Sequence, residues 1–248
     1  MKKIASCLTC LWLILPHASG GVFFKEGFES YDLDGSVVGE KGSSGNWGVW
    51  PAGVNDCQKV IAGGSSGGQV LQIFNESGDA VYMRTPGSRP SSEWSKAVEK
   101  AETVYAQFSF VVPEDAQDQT GVLASFYFSQ KGNDQATGAF LAIANDPKKS
   151  GQVILASNGA GDGMVEWQVV GRWEFGKWAT VGVEQRFAER KYDVRVDNAP
   201  AAKSLNFRNA SSWLGDTWGE SAEFKFSISQ GARLNLDSVV FSTAPIKP

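Results

Sequence analysis

In TVYAQFSFVV (residues 103–112) every second side chain is apolar. Val104, Ala106, Phe108, Phe110 and Val112 fall on one face, and Tyr105, Gln107 and Ser109 on the other. The same period of two recurs in KWATVGVEQRF (177–187), where Ala179, Val181 and Val183 oppose Trp178, Thr180 and Glu184. KYDVRVDN (191–198) sets Tyr192, Val194 and Val196 against Asp193, Arg195 and Asp197, and EFKFSIS (223–229) sets Phe224, Phe226 and Ile228 against Lys225 and Ser227. Successive side chains of a strand point to opposite sides, so these stretches predict half-buried strands of antiparallel sheets. Between the strands lie the turn clusters GGSSGG, KGNDQATG, NDPKKSG and NGAGDG, where the glycines gather. Short strands and turns at regular spacing predict an all-β fold, a two-sheet antiparallel β-sandwich of the jelly-roll type. One stretch, PSSEWSKAVEKAE (90–102), has the form of a short helix capped by Ser91 or Ser92, lying across the edge of the sandwich.

The chain opens with Lys2 and Lys3, then the apolar run CLTCLWLIL (7–15), then PHASG. This is the three-part plan of a secretory signal peptide, with cleavage expected before Gly21. The apolar run is about half of the roughly 20 residues needed to span a bilayer. A secreted protein without membrane insertion is therefore expected, with residues 1–20 as the signal peptide and 21–248 as one sandwich domain. The leader carries His17, Cys7 and Cys10, so the remainder has no histidine and a single cysteine, Cys57. That composition excludes an internal disulfide, Ser-His-Asp and Cys-His nucleophilic catalysis, and a zinc site built on imidazole. Stability must come from the core, which a chain of this length can supply. Cys7 and Cys10 stand too early for a lipid attachment. The formal charge of −4 becomes more negative when Lys2 and Lys3 leave, and no dense basic cluster occurs, so nucleic acid is not an expected partner. The sequons at Asn75 and Asn209 carry little meaning for a chain whose short Lys-Lys start looks bacterial.

Tryptophan is the residue best supplied for binding. Sugar rings pack their C–H faces on flat aromatic surfaces, while amides and carboxylates bond the hydroxyls. Trp47 and Trp50 in NWGVWP, and Trp213 and Trp218 in SSWLGDTWGES, stand in glycine-rich stretches where a ring could be exposed, with Asn46 and Asp216 as polar partners. Trp178, opposite Val181 and Val183, is a third candidate. Against this stands the large apolar area of each ring, which core burial would use equally well.

The opening FESYDLDG with Trp47 soon after, the central block GKWATVGVEQRFAERKYDVRVDN and the ending LNLDSVVFS together resemble the concanavalin A-like lectin/glucanase superfamily. The likeness is to the laminin-G-like jelly-roll domains of secreted bacterial proteins. Their G-x-W strand is matched by Gly176-Lys177-Trp178, and their Y-x-V-D-G strand by Tyr192 to Asn198, with Asn198 where glycine is usual. The resemblance implies that first and last strands lie side by side, bringing Glu29 near Asp237. Two carboxylates left close together repel, so something must compensate. The resemblance implies a structural calcium, with backbone carbonyls and Asp32 completing its shell. The alternative is that each carboxylate accepts backbone N–H bonds at a strand end.

Glucanases of that superfamily carry their two carboxylates on one strand, as E-x-D-x-x-E or E-x-D-x-E, and no such run exists here. Glu166 and Glu184 are isolated carboxylates on predicted strands, and Asp193 and Asp197 share a face four residues apart. Polysaccharide lyases on jelly rolls use tyrosine or histidine as base and arginine or lysine against the uronate carboxylate. Histidine is gone, and Tyr105, Tyr127, Arg186 and Arg195 are what remains. The expectation is a non-catalytic, lectin-like protein that binds a polysaccharide or surface glycan. A hydrolase or lyase on the same fold, and a sandwich serving only adhesion or spacing, are the alternatives.

Overall fold

The computed structural model describes residues 21–38, 47–50, 57–76, 81–84, 100–130, 133–148, 150–161, 164–212, 215–216 and 222–247. The leader lies outside the described residues, as do residues 90–99 of the expected helix, Asn46, Trp213 and Trp218; residues 100–102, the end of that helix stretch, are not helical. Fifteen strands run among the described residues: β1 (Val22–Glu26), β2 (Gly48–Trp50), β3 (Gln58–Ala62), β4 (Gln69–Phe74), β5 (Val81–Arg84), β6 (Thr103–Val111), β7 (Gly121–Gln130) and β8 (Asn133–Asp146). Then follow β9 (Gly151–Gly161), β10 (Met164–Arg172), β11 (Ala179–Arg186), β12 (Lys191–Val196), β13 (Ala199–Asn206), β14 (Ala222–Ile228) and β15 (Arg233–Ser242).

Two antiparallel sheets pack face to face. The first has the order β13-β12-β11-β6-β15-β4-β3, with β1 added against β15; the second has the order β10-β9-β8-β7-β14-β5-β2. The first and last strands are neighbours, with Phe24 opposite Phe241 and Glu26 opposite Val239. Just beyond them, the Thr243 N–H donates to the Gly21 carbonyl and the Gly21 N–H donates to Thr243 Oγ1.

The alternation in the sequence sets the core. Phe108 and Phe110 of β6, Phe126 and Phe128 of β7, and Phe224 and Phe226 of β14 are all at most 1% exposed. Phe108 from the first sheet stacks on Phe126 from the second at 4.4 Å, and Phe224 meets Phe128 at 4.7 Å. Each such side chain stabilises the fold by about 1.5–3 kcal/mol through removal from water. Tyr192 crosses the interface, its hydroxyl donating to the Ser157 carbonyl of the facing sheet.

Two expectations change. Much of KGNDQATG and NGAGDG lies inside β8 and β9, because a ladder held by long partners continues through residues of low strand propensity. Lys225, placed by alternation on the open face, is only 4% exposed, so that face of β14 is covered at Lys225.

Candidate functional site

Three neighbouring strands of the first sheet bring together polar residues that the sequence keeps apart. In the ladders of β11 with β6 and β12, Glu184 stands opposite Tyr105 on one side and Asp193 on the other, and Gly182 stands between Gln107 and Arg195. Paired residues share a face. With Val181, Val183, Ala106, Phe108, Tyr192 and Val194 committed to the core, these two rows face outward. Gly182 has no side chain, so a hollow opens over it, walled by Tyr105, Gln107, Glu184, Asp193, Arg195 and Asn198 and closed by Pro245 and Ile246 of the C-terminal segment. It is shallow, with a cavity volume of about 40 Å³.

Asn198 reaches the hollow from the turn between β12 and β13. Asp197 and Asn198 have φ of 48° and 66°, the left-handed pair of a tight hairpin turn, in which asparagine substitutes for glycine at low cost. Asp197 caps the neighbouring strand, accepting from the Thr180 N–H at 2.9 Å.

Arg186 determines the electrostatics of the hollow. Its guanidinium donates to Glu184 Oε1 (3.3 Å), Asp193 Oδ1 (3.0 Å) and Glu189 Oε2 (3.1 Å). Burial disfavours the ionised form of Asp193, but the bonds from Arg186 and from the Ser204 N–H outweigh it and hold the carboxyl below its ordinary range. The Arg186 cation is held in turn: burial works against it, and the bonds to Asp193 and Glu189 prevail. Burial first and Glu184 second push the Tyr105 phenol up, against Arg195 and Arg186, so it is a donor at neutral pH and not a base. The Arg195 side chain is exposed and makes no hydrogen bond or ion pair among the described residues. The surface therefore offers fixed carboxylate acceptors, a phenol, an uncommitted guanidinium and two amides.

The other candidates are dispersed. Trp47, expected as part of a ligand platform, is 2% exposed, because just before β2 it packs among Phe24, Phe28 and Phe226 at 5.8–6.3 Å. Trp50 lies in β2, where only the backbone is described. Trp178 is half-buried in a separate cleft with Arg172, Glu174, Lys177 and Asp197. Asp216 is exposed and accepts from Arg190 at 3.3 Å. Glu166 and Tyr127 belong to the second sheet, so neither joins Glu184 or Tyr105.

Glu29 and Asp237 meet the same hairpin loop, the GGSSGG turn between β3 and β4. Asp237 Oδ2 accepts from the Ser65 N–H (3.1 Å) and Oγ–H (2.7 Å), and its Oδ1 from the Ser238 N–H. Glu29 Oε1 accepts from the Gln69 N–H at 2.9 Å. Each carboxylate thus meets N–H or O–H donors of the loop or of its own strand. A cation placed on these oxygens would compete with the same donors. Among the described residues no group of three or more acidic, histidine or cysteine side chains gathers.

Sequence reasoning overlooked Glu26, which is 1% exposed and accepts from the Phe28 N–H (2.9 Å) and the Tyr31 hydroxyl (3.3 Å), fastening a turn in which Phe28 has φ of 65°. It also passed over Gln107 and Gly182. A lone glycine in a strand marks a place of close approach, which was the available signal. Asn75 is 1% exposed and its amide donates to the Ile228 carbonyl, so its sequon is closed to a glycan.

No protein-family model matches the chain, and no curated protein sequence does. Among solved structures it is similar to domain 4 of AbnA, a GH43 extracellular arabinanase from Geobacillus stearothermophilus solved with arabinotriose, at 12% identity and a TM-score of 0.54, over 92% of this chain and 95% of that one. It is similar to the carbohydrate esterase vb_24B_21 of the Shiga toxin-encoding bacteriophage phi24B at 13% identity and a TM-score of 0.54, over 90% and 98% of the two chains. The T. cruzi calreticulin globular domain matches at 12% identity and a TM-score of 0.52, over 90% and 88%. A sialidase chain, of which this one spans 16%, also matches, at a TM-score of 0.47. At such identities the likeness is one of fold.

Proposed function

We propose that the chain is an exported, concanavalin A-like β-sandwich of the laminin-G-like kind, and that it binds a polysaccharide or surface glycan over Gly182 without transforming it. The carrying observation is the Arg186 clamp. One guanidinium holds Glu184 and Asp193 together, and its bonds keep the Asp193 carboxyl below its ordinary range. A glycosidase needs one carboxyl that keeps its proton as general acid, and a Tyr-dependent lyase needs a phenol that gives its proton up. Here the Asp193 carboxyl is held low and the Tyr105 phenol is held high, which suits neither residue to those roles. The arrangement suits recognition: Glu184 and Asp193 accept from sugar hydroxyls, Gln107, Asn198 and Arg195 donate, and the Tyr105 ring offers a face for stacking. Similarity of fold to a domain solved with arabinotriose supports a sugar ligand.

The test is a glycan array followed by calorimetry on the hits. A Cβ at Gly182 would meet only ordinary contacts, the nearest being Arg195 Cβ at 3.6 Å. Gly182→Val should therefore fold normally while filling the hollow, and its affinity for every hit should fall at least tenfold. Unchanged affinity would place binding elsewhere. New reducing ends or unsaturated uronate products on incubation would make the protein an enzyme.

A further inference from the structure

We infer that β10 is a pairing edge, and that a second copy of this chain docks against it in an antiparallel, two-fold arrangement centred on Trp167. Among the described strands β10 pairs only with β9, so among the described residues the other side of its backbone has no strand partner. It carries three of the most exposed large apolar side chains described: Met164 (67%), Val169 (55%) and Trp167 (43%). Sheet edges in soluble proteins are ordinarily blunted by lysine, proline or short length. Nine residues long, β10 has no lysine or proline, and its two register breaks lie at its ends and leave Val165–Val169 regular between them.

The register follows from the strand itself. Its pairing with β9 is regular from Val165 to Val169 and breaks between Met164 and Val165 and between Val169 and Gly171. Trp167 is the centre of this regular segment. Beyond it, Val170 is buried and a Cβ at Gly171 would press on Val196, so that end is tied to the facing sheet.

A two-fold axis at Trp167 sets Trp167 against Trp167 of the second copy and Val165 against Val169, an apolar ladder that continues the Phe140–Trp167 contact at 5.4 Å. On the other face the same register sets Glu166 against Gln168 of the second copy, a carboxylate against an amide donor, and this occurs twice by symmetry. Neither side chain makes a hydrogen bond within the chain among the described residues. The strand is thus complementary to itself on both faces, as an isologous interface requires. That complementarity selects a second copy over a foreign strand. A register shifted by one residue would lose it, setting Trp167 against Gln168.

Light scattering on the eluting protein at micromolar concentration tests the pairing. The wild type should have the mass of two chains, and Trp167→Lys the mass of one with an unchanged near-ultraviolet circular dichroism spectrum. Val169→Lys should behave alike, which keeps the test valid if one variant misfolds. Trp167→Cys should oxidise to a disulfide-linked dimer that reductant dissolves, while Gln168→Cys, diagonal across the axis, should not. A monomeric wild type, a dimer that survives both lysine variants, or cross-linking by Gln168→Cys in place of Trp167→Cys would each overturn the inference. Glycan binding plays no part in these readouts.

Discussion

Tyr192 shows how one polar atom in the core sets a pH limit. Its phenol is pushed up to about 12 from 10.0, mainly by burial, against the hydrogen bonds at Ser157 and Phe140 that favour the ionised form. The folded pKa lies above the unfolded one, so the contribution is complete below pH 10 and is lost as pH rises towards 12. At about 1.4 kcal/mol per unit, roughly 2–3 kcal/mol should disappear over that window. Denaturant titrations at pH 9 to 12 should show wild-type stability falling more steeply than that of Tyr192→Phe; parallel curves would mean that Tyr192 does not titrate in the folded state. Trp47 carries the complementary lesson. A tryptophan beside glycines reads equally as an exposed ring or a buried one, and only the approach of Phe24, Phe28 and Phe226 decides.

At the scale of elements, the β3–β4 hairpin is fastened from two directions, by Asp237 at Ser65 and by Glu29 at Gln69. A Cβ on Gly68 would overlap Glu29 Oε1, the flexible end of a side chain. Gly68→Ala should therefore cost about 1 kcal/mol, the worth of the bond that Glu29 must give up. In a Glu29→Ala background the same change should cost much less, a coupling that a double-mutant cycle by urea denaturation would measure. If hydrogen bonds alone neutralise these carboxylates, EDTA leaves the melting temperature where it was; a fall of several degrees, abolished in Asp237→Ala, would place the expected calcium at this junction.

The strands were legible because burial on one side alone writes a period of two, and β6 and β11 follow it almost residue by residue. Adjacency of the chain ends was legible through the likeness of FESYDLDG and LNLDSVVFS to a family. The hollow was not. Tyr105, Glu184, Asp193, Arg186 and Arg195 were each visible as candidates, for lyase or hydrolase chemistry separately. What unites them is the register of β6, β11 and β12, a non-local property that spacing along the chain does not encode.

For the molecule as a whole, ligand and stability are linked by mass action. A saturating glycan should raise the melting temperature of the wild type, by about 2.7 kcal/mol of added stability at a hundredfold excess over Kd, and leave Gly182→Val unmoved. An equal rise in both would show a ligand held away from Gly182.

The free edge of β10 lies under the part of the first sheet that bears the hollow, since β10 contacts β12 and β13. Antiparallel strands in one sheet are related by an axis normal to that sheet, so both copies carry the first sheet on the same side. The two grips then look in one direction, toward one coated surface. A molecule so held departs only when both let go together, so weak sites act as a tenacious pair, and Trp167→Lys should wash from an immobilised glycan far sooner than its parent.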